Sequence, residues 1–186
     1  MAAVLFEAIS PEFELISDRT WEASVHHSFQ DTDAPHPNYR MAESNIRFDA
    51  RKDFIDWNMG GYPKRIGGAL ELPMLPGQPP FGKLVKRPIP LWKNYGLREY
   101  VSTRQSGDTL ICRLPYNCHV TPYLKVEAPA GKLINMQTDQ YQIGDSYSLR
   151  AEYITREGVQ EFECYGWING HYVYYFIPEG VKVLDV

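Results

Sequence analysis

Glycoside cleavage by the usual route needs two carboxyl groups set roughly 5 to 10 Å apart across the scissile bond. Three acidic pairs lie close enough in sequence to be tested against it: Asp31 with Asp33, Asp53 with Asp56, and Glu161 with Glu163. Glu161 and Glu163 flank Phe162, so in a strand both carboxylates share one face and the ring points the other way. A solvated sheet face produces the same pattern, and each pair is read as structural or solubilising. The histidines, His26, His27, His36, His119 and His171, show no i, i+4 helical spacing of a metal site. No GxSxG is present, and MGG and IGG lack the strand and lysine context of a phosphate cradle. Cys118 and His119 are adjacent and would face opposite sides of a strand, which argues against a thiol–imidazole dyad. Cys112, Cys118 and Cys164 fit neither CxxC nor a zinc pattern and are expected as reduced, mostly buried thiols. No catalytic residue, metal or cofactor is expected.

Aromatic residues carry the remaining chemical signal: 13% of the chain, with thirteen tyrosines. Exposed Tyr and Trp faces suit the apolar faces of sugar rings, and a phenol edge adds a hydrogen bond. Tyr165 and Trp167, two apart in a strand reading, would share a face, with Asn169 and His171 adding polar contacts at a hairpin tip. These four form the candidate carbohydrate-binding set. Aromatic residues also favour strands for packing reasons alone, so core burial stands beside sugar contact as a reading.

The elements that would position these side chains are strands. From residue 97 onward, runs of five to eight residues alternate with turns: GLREYVS, TLICRLP, PYLKVEA, KLINMQT, YSLRAEYIT, QEFECYG, HYVYYFI and VKVLDV. Between them SGD, PAG, IGD, EG, NG and PEG supply residues that tolerate positive φ. Asn169-Gly170 is the strongest hairpin signal and is expected as a two-residue type I′ turn. The chain opens on AAVLFEAI, FELISD and WEASVHH, read as short strands separated by SP and SDRT turns. Residues 35 to 90 hold nine of the fourteen prolines and cannot be mostly regular structure. Within that stretch NIRFDA reads as a strand and DARKDFIDW as a short helix with Phe54 and Trp57 on one face. Tyr39, Phe48, Phe54, Trp57, Tyr62, Phe81 and Trp92 recur as anchors of a connector that wraps a body.

The expected fold is all-β: an antiparallel sandwich of the jelly-roll or concanavalin-like kind, with short helices at most. Two parts are expected, 1–90 as the tail of a sandwich plus a Pro-rich connector, and 91–186 as the sandwich proper. At 186 residues the chain can bury roughly 70% of its unfolded surface without a staple. Net charge is −4, with 44% hydrophobic residues, which provides no basic field for nucleic acid. No stretch reaches the roughly 18 apolar residues of a membrane helix, and MAAVLFEAIS lacks the basic n-region of a signal peptide. Neither nucleic acid nor membrane is an expected partner.

Several long words carry a resemblance. SDRTWEA, PHPNYRMAESNIRFDARKDFIDW and LVKRPIPLWKNYGLREYV, then YNCHVTPYLKVEAPAGKLINMQTDQY and the run from YSLRAEYIT to VKVLDV, resemble the β-domain region upstream of the catalytic barrel in bacterial α-L-rhamnosidases. The resemblance spreads over essentially the whole chain. It implies one or more β-sandwich domains, one of them concanavalin-like, leading into an (α/α)6 barrel that bears the catalytic carboxylates of an inverting glycoside hydrolase. That barrel would follow Val186, so none of the family's catalytic residues maps onto a position here, and the chain is expected not to hydrolyse rhamnosides alone. The first strand likewise resembles an interior strand whose predecessors are absent. The implied role is a noncatalytic accessory domain, with the barrel and a rhamnose-containing carbohydrate as partners. An autonomous carbohydrate-binding module is the other reading.

Overall fold

The computed structural model describes residues 7–16, 25–36, 45–54, 83, 85–91, 93–140, 142–143, 146–147 and 149–186. The chain divides into two compact units, residues 1–25 with 56–94, and residues 26–55 with 95–186. Of the expected anchors, Tyr39, Trp57, Tyr62, Phe81 and Trp92 lie outside the described residues, while Phe48 and Phe54 lie within them, Phe48 buried in the core.

In the first unit, β1 (Glu7–Ile9) and β2 (Glu14–Ile16) form an antiparallel pair with Glu7 opposite Ile16. Ser10-Pro11 builds the turn. Ser10 Oγ accepts from the backbone N–H groups of Glu12 and Phe13, both at 3.1 Å, while Ser10 N–H donates to Phe13 O. Serine before proline at the start of a turn is the chemistry expected of SP.

The second unit contains β3 (Phe29–Gln30), β4 (Ile46–Asp49), β5 (Ser102–Ser106), β6 (Thr109–Val120), β7 (Tyr123–Ala128), β8 (Leu133–Thr138), β9 (Gln142–Ile143), β10 (Ser146–Tyr147), β11 (Ala151–Ile154), β12 (Gly158–Glu163), β13 (Ile168–Phe176) and β14 (Lys182–Asp185). Seven of them form one sheet in the order β3-β4-β11-β8-β13-β6-β5, and β12-β7-β14 form a second; β9 and β10 pair with each other. Pairing is antiparallel throughout except between β4 and β11, which run parallel. The fold is therefore an all-β sandwich, as the strand spacing implies. Residues 46–49, which the sequence groups with the N-terminal part, add a strand to this sheet.

Alternation builds the core between the sheets. Leu124, Val126 and Ala128 of β7 and Phe162 of β12 face Ile134 and Met136 of β8, Tyr153 of β11, and Val173 and Tyr175 of β13, all buried. Phe162 packs between Phe48 and Tyr153, at ring separations of 5.3 and 4.7 Å. The one deeply buried phenol on β13 is satisfied: Tyr175 OH donates to Tyr123 O at 2.9 Å and sits 2.7 Å from Tyr100 OH.

Three expectations change. Asn169-Gly170 is not a turn. Both residues lie inside β13, opposite His119 and Cys118 of β6. Glycine is needed there for close approach, because a Cβ on Gly170 would lie 2.5 Å from Asp139 Oδ1 and 2.8 Å from Thr138 Cβ. The register also breaks there, with Gly170 opposite Cys118 and Tyr172 opposite Arg113, so four residues of β6 face one of β13. Pro115 falls in that bulge, where its missing N–H costs no ladder bond. GLREYVS contributes a strand only from Ser102. DARKDFIDW yields a single 3-10 turn, Ala50–Lys52, capped by Asp49, with residues 53–54 non-helical and the rest outside the described residues.

Candidate functional site

Tyr165 and Trp167 lie in the bend between β12 and β13, so strand alternation does not set their faces. Tyr165 is 79% exposed, with its ring 5.9 Å from that of Phe29. Trp167 lies against the His119 imidazole, 4.3 Å between ring centres. Asn169 reaches Asn117 on β6, and His171 meets Asp139 beyond the end of β8, Nδ1 to Oδ2 3.0 Å. The candidate carbohydrate set is thus spread from a bend onto a strand, each member engaged by a different neighbour.

Asp139 is the pivot of the bulge. Its Oδ1 accepts from the backbone N–H groups of His171, at 2.7 Å, and Tyr172, at 3.1 Å. Burial pushes its carboxyl upward, but the Tyr172 and His171 N–H bonds outweigh that and hold it below the usual carboxylate value. This closes the backbone donors that a bulge leaves open.

The outer face of the large sheet is more polar and more buried than a solvated face. In β8, Ile134, Met136 and Thr138 are turned inward, so Asn135 and Gln137 project to the other face. Across the ladder Asn135 lies opposite Glu152 on β11 and Phe176 on β13, and Gln137 lies opposite Tyr174. Glu152 and Arg150, only 3% and 6% exposed, sit on this face too. Glu152 accepts from Arg47 Nε and Arg150 Nε, both at 2.6 Å. Arg47 Nη2 continues to Asp33 Oδ2, and Arg150 Nη1 and Nη2 donate to Pro35 O and Asp33 O. Asn45 completes the tie, its Oδ1 accepting from Arg150 N–H and its Nδ2 donating to Thr32 Oγ1. This network fastens loop 31–36 over β4 and β11. The Arg47 guanidinium, hydrogen-bonded to Asp33, holds that carboxyl below its ordinary value.

Two groups on this face are left over. Asn135 Oδ1 and Gln137 Oε1 are buried without a hydrogen-bond donor. Gln160, also buried, shows the contrast: its Oε1 accepts from Tyr153 OH and Arg156 N–H while its Nε2 donates to Arg156 O and Gly158 O. An unsatisfied buried acceptor costs about 1–3 kcal/mol. Sequence reading missed Asn135, Gln137 and the Arg–Glu cluster. Their common signal, polar residues alternating with Ile134, Met136, Ala151 and Tyr153, is that of an ordinary wet face.

Of the acidic pairs, Glu161, Glu163, Asp33 and Asp53 each meet a neighbouring side chain. Glu161 accepts from Tyr123 OH at 3.0 Å and pairs with Lys125, while Glu163 accepts from Thr121. Asp33 is held by Arg47, and Asp53 lies 3.6 Å from His26; Asp56 is outside the described residues. Burial pushes the Cys112 and Cys164 thiols up to about 11, which keeps both protonated and unreactive at neutral pH. Among the described residues no group of three or more His, Cys, Asp or Glu could hold a metal ion, and no helix is long and apolar enough to cross a membrane.

No protein-family model and no curated protein matches the chain. Among solved structures, the fold is similar to part of the α-L-rhamnosidase from Dictyoglumus thermophilum, with a TM-score of 0.65 and 18% identity over 92% of this chain. The GH78 family rhamnosidase of Bacillus sp. GL1 aligns over 45% of this chain and 10% of its own, at 23% identity and a TM-score of 0.35. The chain spans 20% of the length of the Dictyoglumus enzyme.

Proposed function

We propose that this chain is a noncatalytic β-sandwich domain of an α-L-rhamnosidase-like glycoside hydrolase, which supports a catalytic (α/α)6 barrel and contacts carbohydrate. The observation that carries the reading is the fold likeness, which takes in 92% of this chain and only a fifth of the Dictyoglumus α-L-rhamnosidase. The acidic side chains agree with it, since Glu161, Glu163 and Asp33 are engaged by hydroxyl or cationic neighbours. An autonomous carbohydrate-binding module is the second reading, favoured by the exposure of Tyr165.

A supporting domain needs a docking surface, and apolar side chains are available for one. Tyr95, Leu97, Val101 and Tyr116 are each more than half exposed. Val101 N–H donates to Arg113 O, which places it three residues from Tyr116 along the neighbouring strand. Apolar area of this kind, uncovered, promotes self-association. The triple variant L97S/V101S/Y116S is expected to sediment as monomer at concentrations where the parent chain associates, with its unfolding midpoint unchanged. A parent chain that stays monomeric at about 0.5 mM would remove this support for docking.

A further inference from the structure

We propose that His26, Phe29, Asp53 and Tyr165 form a shallow saccharide-binding site at the β3 edge of the large sheet, the rings taking the C–H side of a pyranose and the imidazole and carboxylate its hydroxyls. The inference rests on the carbohydrate-contacting part of the function proposed above and gives that contact a site. Three of the four residues lie more than a hundred positions from Tyr165 in sequence, and all four reach solvent. Tyr165 is 79% and Phe29 39% exposed, and the side chains of His26 and Asp53 are 37% and 31% exposed.

Each side chain is held from behind. Tyr165 follows Cys164, which is buried and whose N–H donates to Pro122 O. It precedes Gly166, where a Cβ would lie 2.9 Å from Ile46 Cδ1, so the backbone is pinned on both sides of an outward ring. Phe29 lies opposite Phe48 in the β3–β4 ladder and makes T-shaped contacts with Phe48, at 5.0 Å, and with His26, at 5.2 Å. Phe54 backs the His26 ring at 4.6 Å, and Phe29 N–H donates to His26 O to close the turn between them. Asp53 leaves the 3-10 turn with its N–H donating to Ala50 O. The side chains run in a row, Asp53, His26, Phe29 and Tyr165, each meeting the next, and a row fixed in advance loses little freedom on binding.

The polar end of the row calls for a hydroxyl. His26 Nδ1 is buried without a hydrogen-bond partner, and a proton there would be an orphaned donor, so the neutral ring carries its proton on Nε2, beside Asp53. Nε2 and Asp53 Oδ1 are 3.6 Å apart, too far for a direct hydrogen bond. An O–H placed against both accepts from Nε2–H and donates to Oδ1. A sugar brings that O–H on a ring whose C–H face lies against Phe29 and Tyr165, whose centres are 5.9 Å apart. An apolar protein surface would cover the two rings and leave the His26–Asp53 gap unfilled.

The test titrates the full chain, labelled with ¹⁵N and ¹³C, with L-rhamnose, methyl α-L-rhamnoside and, separately, glycerol, which has hydroxyls and no ring face. The His26 imidazole signals and the Phe29 and Tyr165 ring signals are expected to shift saturably with the two sugars at millimolar concentration and not with glycerol. Tyr165→Ala should weaken binding roughly three- to tenfold, the worth of one aromatic contact. Asp53→Asn should weaken it at least about tenfold, the worth of a hydrogen bond to a charged group. Tyr165→Ala should leave the melting temperature unchanged, because the ring it removes is exposed. The proposal is overturned by equal shifts with glycerol, by an affinity that neither substitution changes, or by a Tyr165→Ala variant that melts several degrees lower, since the ring would then be a packing element. Shifts confined to Trp167, Asn169 and His171 would overturn this site and leave the carbohydrate contact proposed above standing, whereas no shift anywhere would defeat both. Rhamnoside hydrolysis by the chain would instead defeat the noncatalytic reading, whatever the titration shows.

Discussion

Replacing Glu152 by alanine should destabilise the sandwich by about 3–5 kcal/mol, the cost of breaking a buried ion pair by removing one partner. Glu152 is buried and accepts a 2.6 Å hydrogen bond from each of two arginines. Without it, Arg47 and Arg150 face each other across β4 and β11 with Asp33 alone to offset two positive charges. Loop 31–36 hangs from the same network, so its ties through Asp33 and Pro35 O should loosen with it. Glu152→Gln keeps the volume and an acceptor and should cost less than alanine. Chemical denaturation reads both variants, and a loss under about 0.5 kcal/mol for Glu152→Ala would mean that the cluster behaves as a surface pair.

Alanine at Gly170 is the second large effect, about 2–4 kcal/mol, from overpacking plus an orphaned donor. The new Cβ would lie 2.5 Å from Asp139 Oδ1 and 2.8 Å from Thr138 Cβ. Thr138 is buried in β8 and has nowhere to go. The movable group is the Asp139 carboxylate, and moving it strands the His171 and Tyr172 N–H groups. The two positions must therefore couple. Gly170→Ala should cost less in an Asp139→Ala background than alone, by at least about 1 kcal/mol in a double-mutant cycle. Additive losses would show that the carboxylate is not what excludes a side chain at residue 170.

The same glycine shows where the sequence misleads. Asn-Gly between alternating apolar residues is a sound hairpin signal when nothing but local conformation is known. At Gly170 the deciding constraint is an approach from Thr138 and Asp139, more than thirty residues away in sequence, which no local pattern carries. Strands that bury one face against the core were legible because alternation and turn chemistry agree: PYLKVEA, KLINMQT, QEFECYG and HYVYYFI all appear as β7, β8, β12 and β13. The parallel pairing of β4 with β11 was not legible, because Arg47 and Glu152 are joined across 105 residues of chain. For the same reason the outer face read as wet. Glu152 alternates with Ala151 and Tyr153 as a solvated residue would, yet it is buried with the two arginines that tie down loop 31–36. The four aromatic and polar residues singled out from the sequence sit in the bend before β13 and at the bulge within it, while the unpartnered amides lie on the next strand over.

The central claim, a noncatalytic domain, is most directly tested by incubating the purified chain at high concentration with 4-nitrophenyl α-L-rhamnoside. The account predicts nitrophenol release indistinguishable from the uncatalysed blank across neutral and mildly acidic pH. Release that is lost in Glu161→Gln, Glu163→Gln or Asp53→Asn would contradict it, because a carboxylate of this chain would then be doing the chemistry.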